Sequence, residues 1–388
     1  MLEFNDNHKC KELVNSSTLS TTKLRKLFCF LHVCSFIRWK ISKFALMFAY
    51  LKMPAFLAIS LLFTACSSNK QREQHSELAM KDVTRLKTTP VKDQGPSQTC
   101  WIYAMLATIE TEHIMRGDSV NLSVDYVSRM LIREKAAEHL ASNEEDYRSM
   151  RGVASNTLRL IQTYGLHHFD AYHSRHEVDY VTLMRKSISC MRTAFSYKSA
   201  MENVDEMLDK EISPLPLRVY MYGVEYTPLE FAHSVCRDDE YHGYTSFSHH
   251  PFGIRIPLES PDNIYHDLVT NIPIDSMLAM AERSIRSGHP VCWEGDISEK
   301  GFIFEKGVVT LDRGINTVTQ DMRQREYETG RTTDDHCMEM MGLAIDNKGR
   351  KYFICKNSWG TNNRYKGYMY MSYQYMMMKT IAIFVPEE

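Results

Sequence analysis

The stretch KDQGPSQTCWIYA, Lys92 to Ala104, joins a polar loop to an apolar run, with a cysteine beside a tryptophan at the junction. From Cys100 onward Ile102, Met105, Leu106, Ile109 and His113 recur at helical spacing, and Gly117-Asp118 closes the helix. A cysteine on the apolar face of such a helix packs as a small hydrophobe. At the entrance its sulfur instead meets unsatisfied N–H groups and the positive end of the helix dipole, which favours thiolate. A nucleophile at position 100 then needs a base, a group that orients the base, and donors for the oxyanion.

Candidates for all three lie elsewhere in the chain. His336 follows Asp335 and precedes the apolar run Met338 to Ile345. Asp346-Asn347-Lys348-Gly349 reads as a turn, and Lys351 to Lys356 as a second strand ending at Asn357. Antiparallel folding about that turn brings His336 and Asn357 to one end of a hairpin. There an asparagine carbonyl fixes the imidazole tautomer and aims the other ring nitrogen at the sulfur. Trp359 is placed to shield that bond from water. Gln94, six residues before Cys100, offers an amide donor that forms an oxyanion hole with the Cys100 N–H. The plainer readings are an inert thiol, a structural histidine and a solvent-facing glutamine; the four in this order outweigh them.

Outward from this core the front of the chain is helical. Ser123 caps a helix that starts near Leu122, Asn156 to Tyr164 forms a third ended by Gly165, and Val83 to Gln94 is extended. Tyr180 to Asp209 reads as helical, Glu240 to Pro257 as loop and short strand, and Asp275 to Gly288 as a helix. His289 to Asp296, Gly367 to Met371 and Ile381 to Phe384 read as strands. A helical front and a strand-rich back predict an α+β fold with a cleft between the halves.

The first 65 residues belong to a signal region. Lys52 precedes the apolar stretch Pro54 to Ala65, too short to span a bilayer, and Cys66 follows in a lipobox-like setting with Phe63 in place of the usual leucine. The expected start is Met47 or Met53, with a signal anchor as the rival. Residues 66–82 are then a tether with lipid on Cys66, and 83–388 the folded domain. The expected location is the bacterial cell envelope, periplasmic or surface. Beyond residue 65 the chain holds 37 basic and 45 acidic side chains, and no basic stripe that would track nucleic acid. Cys100, Cys190, Cys236, Cys292, Cys337 and Cys355 are scattered, without a metal-pair spacing or a disulfide framework.

Gln94, Cys100-Trp101, Asp335-His336 and Asn357-Ser358-Trp359-Gly360 together resemble the papain-like cysteine peptidases, whose glutamine-to-cysteine gap is the one found here. Thr88-Thr89-Pro90-Val91, Thr227-Pro228-Leu229-Glu230-Phe231, Ile272-Pro273-Ile274-Asp275, Gly295-Asp296 and Lys366-Gly367-Tyr368 resemble the bleomycin hydrolase/aminopeptidase C branch. The likeness runs from about Val83 to Phe384. It implies a papain-like fold, the helical half carrying Cys100 and an antiparallel β half carrying His336 and Asn357. The 236 residues from Cys100 to His336 exceed the ~130–150 of papain relatives, which implies an insertion at about 170–288.

The resemblance further implies a cysteine peptidase acting through a thioester acyl-enzyme on peptide substrates, an aminopeptidase, with no cofactor or metal. Endopeptidase or acyltransferase action on the same site, and a non-catalytic surface-binding lipoprotein, stay open, as does assembly into homo-oligomers. Arg151-Gly152 stands where relatives hold a Gly-Gly pair that binds substrate backbone, so Gly152, Arg151 and Trp359 are the expected substrate contacts. Ser97 replaces a papain disulfide cysteine, and the 27 residues between Cys66 and Gln94 are too few for an inhibitory prodomain. Cytosolic bleomycin hydrolases hold the substrate amine with their own terminal carboxylate. Here Glu387, Glu388 or another acid takes that part, or the enzyme is not strictly an aminopeptidase.

Overall fold

The computed structural model describes residues 79–142, 149–221, 223–311 and 315–387. The signal region, Cys66 and most of the tether lie outside them. The strands β1 (Met80–Arg85), β2 (Val219–Met221), β3 (Val224–Tyr226), β4 (Tyr241–Thr245), β5 (Arg255–Pro257), β6 (Leu268–Asn271), β7 (Val291–Gly295), β8 (Phe302–Ile303), β9 (Val308–Val309), β10 (His336–Asp346), β11 (Lys351–Lys356), β12 (Tyr368–Ser372) and β13 (Thr380–Pro386) follow in that order. The hairpin expected about Asp346–Gly349 is β10–β11, with Ile345 opposite Lys351 and Glu339 opposite Lys356. It sits inside a sheet of order β5-β6-β4-β13-β7-β10-β11-β12-β9-β8, with β2–β3 as a separate ribbon.

β10 is long enough to need two partners on one edge. β7 pairs with its first half, His336 to Met340, and β1 with its second, Gly342 to Asp346. Met80 to Asp82 are therefore part of the sheet, and the expected tether ends before them: their backbone groups satisfy those that β7 leaves open on β10.

The helices are α1 (Cys100–Arg116), α2 (Val124–Ser142), α3 (Ala154–Tyr164), α4 (Tyr180–Met191), α5 (Tyr197–Glu211), α6 (Pro228–Val235), α7 (Ile274–Arg286), α8 (Gln320–Glu328) and α9 (Tyr373–Lys379). α1 ends where Gly117 takes φ +100° and bonds back to Ile114, a left-handed cap that glycine adopts without strain. Ser123 caps α2 through its hydroxyl, which accepts the Tyr126 N–H at 3.0 Å. The helical span Tyr180–Asp209 is divided into α4 and α5. Ser196 and Ser199 cap each other reciprocally and start α5 afresh after the break. The expected insertion, about 170–288, is built into both halves. It contributes α4 and α5, which pack on α2, but also β4 to β6 and α7, which extend and cover the sheet.

Alternation along the strands sorts their side chains between two cores. Val291 and Trp293 of β7, Met338 and Met340 of β10 and Ile383 of β13 face α7 and α9. Cys292, Cys337, Ala382 and Phe384 face the helical half, where Trp101, Ile102, Met105, Leu106 and Ile109 of α1 complete the packing. α1 is buried on nearly all sides from Trp101 to His113. Its first residue therefore stands at the seam between the halves.

Polar side chains also join the halves. Lys356 of β11, almost fully buried, donates to Thr88 and Thr89 at 3.0 and 2.8 Å and lies 3.6 Å from Glu339. Thr89 donates in turn to Glu110 of α1, which Lys92 meets at 2.7 Å. Among the described residues no helix is long and apolar enough to cross a membrane.

Candidate active site

The six cysteines of the described residues are all free thiols. Cys100, partly buried at the first position of α1, lines one cleft with His336, at the mouth of β10, and with the next residue, Cys337. These neighbours hold the Cys100 thiol well below the usual thiol range. The Cys337 hydrogen bond contributes most, burial works against it, and His336 adds a hydrogen bond and its charge. Cys337 itself is pushed well above the usual range by burial, so it stays protonated and donates.

His336 is buried and its Nε2 lies 2.7 Å from Asn357 Oδ1. That oxygen also accepts the Ser358 N–H at 2.8 Å, which fixes the asparagine amide with its carbonyl toward the ring. Nε2 therefore donates its N–H to Asn357, and Nδ1 is the nitrogen left for the sulfur. Trp359 covers the pair, its ring centre 4.9 Å from that of His336, and is backed edge-on by Phe302 and Phe304.

Gln94 is buried; two bonds orient its side-chain amide and a third holds its backbone. Its Oε1 accepts from Ser358 Oγ at 2.6 Å, its Nε2 donates to the Ser97 carbonyl at 2.9 Å, and its backbone N–H reaches the Ser358 carbonyl at 2.8 Å. The second N–H of that amide and the Cys100 N–H in the open first turn of α1 are available for an oxyanion. Ser358 is thus a positioning residue that motif reading left as a mere neighbour of Asn357.

A cleft of about 580 Å³ opens over this group, lined by Gln94, Cys100, Arg151, Gly152, His336 and Trp359 among others. Of the four predicted chemical groups Gln94, Cys100 and His336 line it, while Asn357 is buried and reaches it only through His336; all three predicted substrate contacts line it. Gly152 lies against the Trp101 indole so closely that a Cβ there would stand 2.8 Å from the ring. The indole N–H in turn donates to the Met150 carbonyl at 3.0 Å and draws that segment to the cleft edge. Arg151 pairs with Asp262 at 2.7 Å and donates to the Asp334 carbonyl at 2.6 Å. Cys66 lies outside the described residues. Glu387 does not reach the cleft: its N–H bonds to Glu240 O, and its side chain lines a surface hollow with His233 and Arg237.

Two acids went unnoticed in the sequence. Glu294 of β7 is fully buried and within hydrogen-bonding reach of Asp334, which lines the cleft. Burial, then the charge of Asp334, pushes Glu294 well above the usual carboxylate range, and burial raises Asp334 to about 6. A glutamate inside the run Val291 to Gly295 was the available signal. Asp296, without a role in the sequence reading, accepts the Ser298 and Thr333 N–H groups and steadies the loop leading to His336.

For a metal, the described residues offer one convergent group, His249, His250 and Glu259, away from the cleft lining. Gln324 accepts the Ser248 N–H on Oε1, so its Nε2 donates to His249 Nδ1 at 2.7 Å. His249 Nε2 then carries the proton that it gives to Glu259 at 2.8 Å, a hydrogen-bonded cluster with one ligand lone pair already spoken for.

Comparison with known proteins agrees with this architecture. Residues 219–387 match the Peptidase C1-like family. The chain is similar to Aminopeptidase E of Lactobacillus helveticus, 23% identical over 163 residues, 39% of this chain and 37% of that protein. It is also similar to Aminopeptidase W of Lactobacillus delbrueckii subsp. lactis, 23% identical over 172 residues, 42% of this chain and 39% of that protein. The matched segments thus span less than two fifths of these curated relatives. The crystal structure of PepW from Lactobacillus rhamnosis HN001 superposes with a TM-score of 0.61 at 15% identity, over 96% of this chain and 93% of that one. The fold is papain-like, α+β, and the likeness falls on the aminopeptidase C branch.

Proposed function

We propose that the chain is a cysteine peptidase, and more narrowly an aminopeptidase, that cleaves peptide bonds through Cys100, His336, Asn357 and Gln94. The observation that carries this is the thiol at the head of α1 set against an imidazole whose far nitrogen is held by Asn357 at 2.7 Å. In the reaction the Cys100 thiolate attacks the scissile carbonyl, and the oxyanion forms between the Gln94 amide and the Cys100 N–H. The proton lost by the Cys100 thiol passes to His336 Nδ1, which gives it to the leaving amine. The same nitrogen then takes a proton from water, whose oxygen attacks the thioester, and returns it to the departing sulfur as the acid is released. Asn357 and Trp359 keep the ring oriented and dry. Gly152 leaves open backbone beside the nucleophile, on which substrate backbone docks. The names of the curated relatives support the aminopeptidase reading. The Pro54–Cys66 segment supports attachment of this activity to the cell envelope by a lipid on Cys66.

Hydrolysis of fluorogenic peptides by the parent and the Cys100→Ala protein tests the assignment. Turnover disappears in the variant with the melting profile retained; turnover comparable to the parent's overturns it. Unblocked and N-acetylated peptides separate the narrower reading, since equal rates on both exclude amine anchoring.

A further inference from the structure

The cleft wall carries an excess of acid that peptide-bond chemistry does not need. Asp262, Asp334 and Asp335 line the cleft, Glu294 lies just beneath, and Arg151 is the one guanidinium among the lining residues. Arg151 is already committed, to the Asp262 carboxylate and to the backbone carbonyl of Asp334, and leaves the Asp334 carboxyl to Glu294 and Ser260. Glu294 stands directly opposite Cys337 in the β7–β10 ladder, so both side chains leave the sheet on the face that packs against the helical half, where Cys100 lies. One oxygen of Glu294 accepts the Ala154 N–H at the start of α3 at 3.0 Å. The other, Oε1, is buried with no N–H or O–H to accept from. Two carboxyls in reach of each other in a site of low polarity hold one proton between them or bind a cation; an unfilled acceptor there is otherwise costly.

We propose that the Glu294–Asp334 pair is the site at which the cleft recognises a cationic group of its substrate, an alkylammonium one or two residues on the amino side of the scissile bond. The cation takes the place of the shared proton, donates to the open oxygen of Glu294 and to Asp334, and draws the substrate backbone past Cys100. Both a free α-amine and a lysine side chain have this chemistry. Glu387, placed on another face, does not compete for the task. The inference rests on the peptidase reading above and specifies its substrate class.

The test uses the full chain and aminomethylcoumarin amides of four peptides: free Ala, free Leu-Ala, acetyl-Lys-Ala and acetyl-Leu-Ala. Glu294→Gln keeps an acceptor for the Ala154 N–H and Asp334→Asn one for Ser260, and melting curves identify which variants are folded. A charge-assisted hydrogen bond predicts kcat/KM roughly 10–100-fold higher for a cationic substrate than for acetyl-Leu-Ala. That ratio falls to within about threefold in either folded variant. Preference for the free peptides assigns the α-amine, and preference for acetyl-Lys-Ala assigns the side chain. Equal kcat/KM across all four peptides, or a preference that both variants retain, overturns the inference while the peptidase reading stands. Hydrolysis of none of them by the parent overturns both.

Discussion

At position 100 the groups beside the sulfur add to the effect of the helix start. Cys337 makes the largest contribution to the low thiol range, ahead of His336, and it can do so because burial keeps its own proton in place. Cys337→Ala therefore moves the midpoint of the pH profile for Cys100 alkylation upward, while His336 still supports turnover. An unchanged midpoint contradicts the contact. Gln94→Ala removes one oxyanion donor and lowers kcat by roughly 10²–10³-fold with KM little changed. Ser358→Ala leaves the donor present but frees its carbonyl end, so kcat falls by less, again with KM preserved. Steady-state kinetics on one peptide separates these outcomes, and a change confined to KM in both argues against the orientation described for Gln94.

Among the elements, α1 and the β10–β11 hairpin depend on each other through buried charge. Lys356 meets Glu339 and the two threonines, and Glu110 meets Thr89 and Lys92, with no solvent to take over if one partner goes. Lys356→Ala and Glu110→Ala each cost roughly 3–5 kcal/mol, read as the loss of unfolding free energy in denaturant titrations. A loss below 1 kcal/mol indicates that water enters the seam. This interdependence also explains what could be read in advance. Cys100, His336, Asn357 and Gln94 sit at the ends of elements, where a polar loop meets an apolar run, so local pattern located them. Glu294 lies mid-strand, and its meaning depends on β7 lying between β13 and β10, a pairing no local pattern states. The break in Tyr180–Asp209 was hidden for a different reason: Ser199 closes the reciprocal cap at a place where glutamate or glutamine is the usual signal. The sheet membership of Met80–Asp82 follows from the excess length of β10, again a tertiary fact.

Over the whole molecule the acid pair couples stability to pH. The folded chain raises Asp334 to about 6 and Glu294 well above its ordinary range, so it binds these protons more tightly than the unfolded chain does. Their contribution is complete below the ordinary carboxylate pKa of about 4 and is lost as pH rises through about 6 and beyond. Glu294→Gln removes most of this loss, and its melting temperature exceeds the parent's at neutral pH while matching it near pH 4. A parallel pair of melting curves across that range contradicts the buried, proton-sharing arrangement. That arrangement lies at the same seam as the nucleophile, where the helical and β halves meet.

The most direct measurement is alkylation of the full chain with limiting iodoacetamide at about pH 6, where an ordinary thiol of pKa about 8.5 is protonated, followed by peptide mapping by mass spectrometry. Cys100 takes up the label well ahead of Cys190, which is also partly exposed, the lost hydrolysis matches the labelled fraction, and His336→Ala slows the reaction. Full modification of Cys100 with peptide hydrolysis intact, or labelling of Cys190 as fast as of Cys100, contradicts the account.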